Sequence, residues 1–404
     1  MTRPSTKPQD NSSDRARAWK EPAILAYGYR PFFLIAGMWA ALAMAAWVAM
    51  LAGFIILPTR FDPISWHAHE MLFGYLGAAV AGFLLTAVPN WTGRLPIIGW
   101  PLAVLVAFWA TGRIAVAASG GLSPALVAVL DLLFPVALAA AIGREIVAGK
   151  NWRNLPVLAL LVLLIVANAL FHASAAQGDY AAGGFGFRTG LAVAVMLVTL
   201  IGGRIVPSFT RNWLAKHKIG DFPASFGLVD QFALLSTLIA LISWADLPDH
   251  EATAILCTLA GFANLIRLSR WSGIRAGPEP LLWILHVGYL FVPLGFLSVA
   301  ASVWDSGLSP PIGAQHIWMA GAVGVMPLAM MTRASLGHAG RPLTATRGVN
   351  VVYLLIIVSV LLRFIAAFGA APAWVMQVSA LSWIAGFAGF CILYWPILTK
   401  PHRR

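Results

Sequence analysis

WHAHEMLFGYLGAAVAGFLLTAVPNWTGR, from Trp66 to Arg94, decides the fold. Between Glu70 and Arg94 it carries no charge, and its helical rise of about 1.5 Å per residue spans the ~30 Å hydrocarbon layer of a bilayer. In lipid every backbone N–H and C=O must be satisfied within the segment, so a lone span must be helical. The stretch is therefore read as a transmembrane helix with His67, His69 and Glu70 in its first turns.

The rest of the chain repeats this pattern. Apolar runs occur at 32–57, 66–90, 97–118, 123–147, 155–176, 186–207, 225–245, 250–270, 280–304, 312–332, 348–370 and 372–398, each bounded by polar or Pro/Gly positions. Of the 404 residues, 60% are hydrophobic and 10% charged, with a mean hydropathy of +0.80. A water-soluble domain of this length needs far more charge to cover its surface. The expected fold class is all-α: a polytopic membrane protein of about 12 transmembrane helices. A polar tail, 1–26, precedes one transmembrane helical domain, 27–404. The tail reads as disordered and, lacking an early apolar core, is no signal peptide.

Charge placement fixes an expected orientation. With alternate loops given to opposite sides, all of the 27 Lys and Arg residues fall on the N-terminal side except Arg60, Arg113, Arg188 and Arg363. The other side collects Asp246, Asp249, Glu251 and Asp305. The positive-inside rule thus predicts cytoplasmic N- and C-termini. A net charge of +12 in short interhelical breaks forms no basic stripe, which argues against a nucleic-acid partner. Cys257 and Cys391 lie far apart in apolar runs and make neither a disulfide framework nor a covalent haem attachment.

Ionisable groups inside spans are costly and mark function. By depth, His67, His69, Glu70, Arg113, Asp131, His172, His316 and Arg363 gather in the outer third of the bilayer from six helices. Four histidines at one depth point to metal ligation, set against the plainer reading of satisfied core histidines. Arg113 and Arg363 also fit snorkelling, or for Arg363 a structural pair with Asp131. His67 and His69 are about 200° apart on a helix and so face opposite sides. On the His67 side lie Glu70, Met71, Gly74, Ala78 and Gly82, a small-residue slot suited to a planar macrocycle or a close helix neighbour. Glu70 is expected to support His67 or to carry protons. His286 lies nearer the cytoplasmic side, either a ligand for a second cofactor or quinol site or a hydrogen-bonded core histidine. His217, His250, His338 and His402 read as surface residues.

These residues carry a resemblance. Tyr29-Arg30-Pro31-Phe32-Phe33, the string Trp66–Gly74, Gly82–Gly93, Thr210-Arg211-Asn212, His286 with Gly288-Tyr289, and His316 followed by Met331-Thr332-Arg333 and Leu336-Gly337-His338 resemble the NnrS family from about Tyr27 to the end. The resemblance implies a bacterial inner-membrane protein with haem b and copper, tied to denitrification and nitrosative stress. It implies binding or reduction of nitric oxide, with quinol or another electron donor. The helix count and the histidines of the second and tenth spans also resemble, loosely, the catalytic subunit of haem–copper oxidases. The chain departs from that pattern in having no adjacent His-His pair. The candidate metal ligands and cofactor contacts are His67, His69, His172, His286 and His316, with Arg363 as a further cofactor contact and Glu70 as the candidate catalytic group. The alternatives are a 12-helix secondary transporter of a small solute and a non-catalytic haem or copper carrier.

Overall fold

A computed structural model describes residues 22–401; of the expected tail, 1–21 fall outside the described residues, as does His402. Among the described residues the chain is all-helical with no strand, and 12 helices are long and apolar enough to cross a membrane. They are α1 (Tyr29–Leu51), α2 (Pro63–Thr92), α3 (Trp100–Ala117), α4 (Pro124–Ala148), α5 (Trp152–Ala176), α6 (Phe185–Lys216), α7 (Leu228–Asp246), α8 (Glu251–Ser269), α9 (Pro280–Trp304), α10 (Pro311–His338), α11 (Arg347–Ile365) and α12 (Ala373–Thr399). The count matches the sequence expectation.

Local chemistry explains the boundaries. Pro stands in the first turn of α2, α3, α4, α9 and α10, where its missing N–H costs nothing. Asp62 caps α2 through the amides of Ile64 and Ser65, and Gly93, at φ +68°, ends it. The first span, expected at 32–57, instead ends at Leu51, because Gly53 turns the chain at φ +73°. Inside the expected tail, Ala23–Leu25 forms a short 3-10 turn, and Leu25 accepts a backbone bond from Gly99. Arg30 ties the two chain ends together: its guanidinium donates to the carbonyls of Ala23 at 3.1 Å and Lys400 at 2.9 Å. Both ends of the described chain therefore lie at one end of the bundle, as an even number of crossings requires.

The helices close into a ring. Sequence neighbours pack on each other, and α12 returns to pack on α1. Three helices sit inside. The most apolar windows of α2, α6 and α10 are 67%, 72% and 72% buried, against 61% for α9 and 50% or less for the remaining eight. These three central helices are four apart in order. Of them, α2 and α10 break their α-helical ladder with a π-helical segment, at Glu70–Tyr75 and Ile317–Val325. Each π segment begins directly after a candidate ligand, His69 or His316. Such wide turns recur at functional sites because they re-aim side chains and loosen the hydrogen-bond ladder. Here the phenol of Tyr75 reaches from one π segment to the other, donating towards the carbonyls of Val323 and Gly324 at 3.3 Å. The Trp109 indole donates to Gly74 O at 3.0 Å.

Candidate metal centre

The two histidines at the start of α2 part company, as their spacing requires. His69 is fully buried and faces α3, α4 and α5. Its Nδ1 lies 3.0 Å from Glu70 Oε1; its Nε2 lies 3.1 Å from both Asp131 Oδ2 and Asn168 Oδ1. His172 Nε2 lies 3.0 Å from the same Asp131 oxygen, and Asn168 Nδ2 donates to it at 2.8 Å. Arg113 closes the cluster from α3. Its Nη1 donates to both Glu70 oxygens at 2.8 Å, and its Nη2 donates to Asp131 Oδ1. The Trp39 indole donates to Glu70 Oε2 at 2.7 Å. Phe61, Phe73 and Phe171 pack around the His69 ring.

The hydrogen-bond roles in this cluster call for a cation. Glu70 accepts from Arg113 and Trp39, which fits an ionised carboxylate that accepts the Nδ1–H of His69 as well. His69 Nε2 then presents a lone pair to two further acceptors, Asp131 Oδ2 and Asn168 Oδ1. Acceptors facing acceptors repel unless a proton or a metal ion lies between them. Charge gives the same answer. Two buried carboxylates against one guanidinium leave one negative charge uncompensated, and an uncompensated charge in lipid is expensive. Candidate ligand atoms of His69, Asp131 and His172 all lie within 4.8 Å of one another, and all three residues are buried. Two imidazoles and a carboxylate suit a first-row transition metal, copper, iron and zinc included.

Beside this cluster is a cavity of about 20 Å³, room for roughly one water-sized molecule. Phe73, Val80, Phe134 and Leu161 make it apolar, with Asp131 and Asn168 at its polar wall.

His67 faces the other way. It is half-buried, and its ring stacks on Trp47 of α1 with centroids 4.2 Å apart. Its Nδ1 and the Trp47 Nε1 are both buried without a hydrogen-bond partner among the described residues. His316 of α10 and Arg363 of α11 lie within electrostatic reach of His67, and of each other. The Nδ1–H of His316 donates to Ile312 O at 2.7 Å, which leaves Nε2 as the free ligand atom. The outer histidines thus form two groups on opposite sides of α2, not one.

Two expectations change. Glu70 supports His69, not His67, because it is held by Trp39 and Arg113 on the His69 side. Asp131 pairs with Arg113, not Arg363; α3 packs beside α4, whereas Arg363 sits across α2 near His67 and His316. His286 joins neither group: its Nε2 is 2.9 Å from the Thr210 hydroxyl, and its ring packs near Trp271. The plain reading of a hydrogen-bonded core histidine describes it. His217, His250 and His338 are exposed, as expected.

Sequence reasoning passed over two participants. Trp39 carries no signal beyond being an aromatic residue in an apolar helix. Asn168 is a polar residue in an apolar run, but its contact with His69 depends on how α5 packs. Arg267, counted among loop cations, is buried in α8 and bonds Asp230, Tyr289 and the Thr199 carbonyl.

With this geometry in place, a family model described as NnrS protein matches residues 23–402. The chain belongs to the NnrS family. A comparison with curated proteins finds no match. The match takes in all twelve helices, so the two histidine groups lie within the family's extent. It bears out the resemblance read from the sequence.

Proposed function

We propose that this NnrS-family protein is a membrane-embedded haem b and copper protein of the nitric oxide response. One observation carries the reading: opposite faces of α2 send His67 and His69 into two separate polar settings, each with a second imidazole. Copper is assigned to His69, Asp131 and His172. The donor set fits, since imidazole suits copper, and the cluster lacks one positive charge, which a bound cation would supply. Haem b is assigned to His67 and His316. The donors fit again: two half-buried imidazoles, an orphaned ring nitrogen on His67, and the Arg363 guanidinium, a ready partner for a propionate carboxylate.

When bound, haem would supply a one-electron couple, and an iron able to take a diatomic ligand only where one of the two imidazoles yields its place. The chain's own residues do the rest. Glu70 accepts the Nδ1–H of His69 and so fixes its tautomer, leaving Nε2 for a metal. Arg113 holds both carboxylates in place. Since both Glu70 oxygens are already engaged, this residue positions His69 instead of carrying protons. The small apolar cavity beside Asp131 suits a diatomic such as nitric oxide. Quinol or another membrane-borne donor would supply electrons, and the cytoplasmic membrane of a bacterium is the expected setting.

A second reading rests on the closed hydrogen bonds of the cluster. A second proton on His69 also balances its charge, making the site a buried imidazolium without metal. Spectra of the purified protein, oxidised, reduced, and reduced with nitric oxide, together with iron and copper analysis, separate the cases. The account expects a b-type haem spectrum that nitric oxide perturbs, and copper near one per chain. Haem without copper would leave the imidazolium reading. A folded sample with neither metal, refractory to reconstitution, would remove both assignments and favour the transporter.

A further inference from the structure

A second polar feature lies at the other end of the bundle, the end that the positive-inside rule gives to the cytoplasm. A cavity of about 430 Å³ opens between α5, α6 and the segment leading into α7. Arg153, Arg204 and Arg211 line it, with Asp230 and Trp271. The single carboxylate is already taken. Asp230 binds Arg267 Nε at 3.0 Å and Arg270 Nη1 at 3.2 Å, and it accepts the Gly227 amide. The three lining arginines find no acidic partner among the described residues. Arg204 donates to the neutral Asn154 side chain at 3.0 Å, and Arg211 to the Pro223 carbonyl at 2.6 Å. Arg153 lies within electrostatic reach of Arg204, so two like charges share one wall. Like charges held together around a cavity repel unless an anion lies between them.

We propose that this cavity binds a phosphate-bearing anion. Each guanidinium has five N–H donors, of which Arg204 and Arg211 each spend one here, so at least two planar forks remain free for bidentate contact with phosphate oxygens. The volume suits a headgroup-sized ligand. Its location at the helix ends is where basic pockets meet anionic lipid headgroups, and it is also open to free phosphate from the water phase. The site is independent of the metal assignments: it shares no residue with either histidine group.

The test uses the full chain in detergent, with two arms. Equilibrium dialysis measures inorganic phosphate; native mass spectrometry compares retention of phosphatidylglycerol with that of phosphatidylcholine. Binding in the first arm alone identifies free phosphate, and preferential retention of phosphatidylglycerol identifies a headgroup. The Arg204→Gln/Arg211→Gln double variant should weaken whichever binding is seen by about tenfold or more. Arg341→Gln, an exposed arginine at the same end outside the cavity, should leave it unchanged. If the double variant fails to fold, Arg153→Gln at the exposed rim must still weaken binding. No binding of either probe to the wild type, or equal binding by the cavity variants, overturns the proposal.

Discussion

Arg113 is the residue on which the buried cluster turns. It spans Glu70 and Asp131 and touches no other acid among the described residues. Removing one partner from a buried, hydrogen-bonded ion network leaves charge unpaired, at a cost of about 3–5 kcal/mol. Arg113→Ala should therefore lower the thermal stability of the detergent-solubilised protein by that order, with Arg113→Lys in between. An alanine variant that melts with the wild type would mean the cluster is not closed through this guanidinium. Gly74 tests the same packing from the α2 side: a Cβ there would come within 2.7 Å of Arg113 Nη1, 2.8 Å of Trp39 Nε1 and 2.9 Å of Glu70 Oε2. Gly74→Ala should cost about 1–3 kcal/mol by overpacking, read from the same melting curve; an unshifted melt would show that the side chains around Glu70 move aside freely. The histidines themselves were legible in the sequence, since an imidazole inside an apolar run announces itself. Their partners were not. Arg113, Asp131 and Arg363 each looked like a lone charge at a similar depth, and depth alone joined Asp131 to the wrong arginine.

Among elements, α2 and α10 matter most. Each starts at a proline, reaches a histidine within two turns and then widens into a π segment. Nothing in residue type marks that widening, because a π turn is favoured by tertiary contacts more than by local propensity. The ideal 3.6-residue period used to assign faces put Glu70 with His67. In the structure the ladder changes period at Glu70 itself, and the carboxylate joins His69. Tyr75 links the two widened segments through the Val323 and Gly324 carbonyls. Loss of one buried hydrogen bond costs about 0.5–1.5 kcal/mol. Tyr75→Phe should thus destabilise modestly and speed amide exchange in Ile317–Val325 specifically. Exchange that speeds equally in all helices, or in none, would mean that the phenol does not couple the two segments.

At the scale of the whole molecule, hydropathy and charge alternation were enough to give the helix count, because the bilayer sets span length and the loops carry the orientation signal. What they could not give was the arrangement. That α2, α6 and α10 stand inside the ring depends on which helices neighbour which, and helices apolar on every face do not announce their burial. The orientation remains open to direct test. Reporter fusions after Lys400 and at 246–250 should report opposite sides, the first cytoplasmic and the second external. Both on one side would break the alternation on which the twelve-span topology rests.

In the proposed function, one helix serves two cofactors through two histidines facing apart. The most direct measurement is iron and copper per chain, with the haem spectrum, in His67→Ala and His69→Ala purified side by side. His67→Ala should lose haem iron and keep copper, while His69→Ala should lose copper and keep haem. Both metals leaving together in either variant, or both persisting in each, would contradict the two-site assignment.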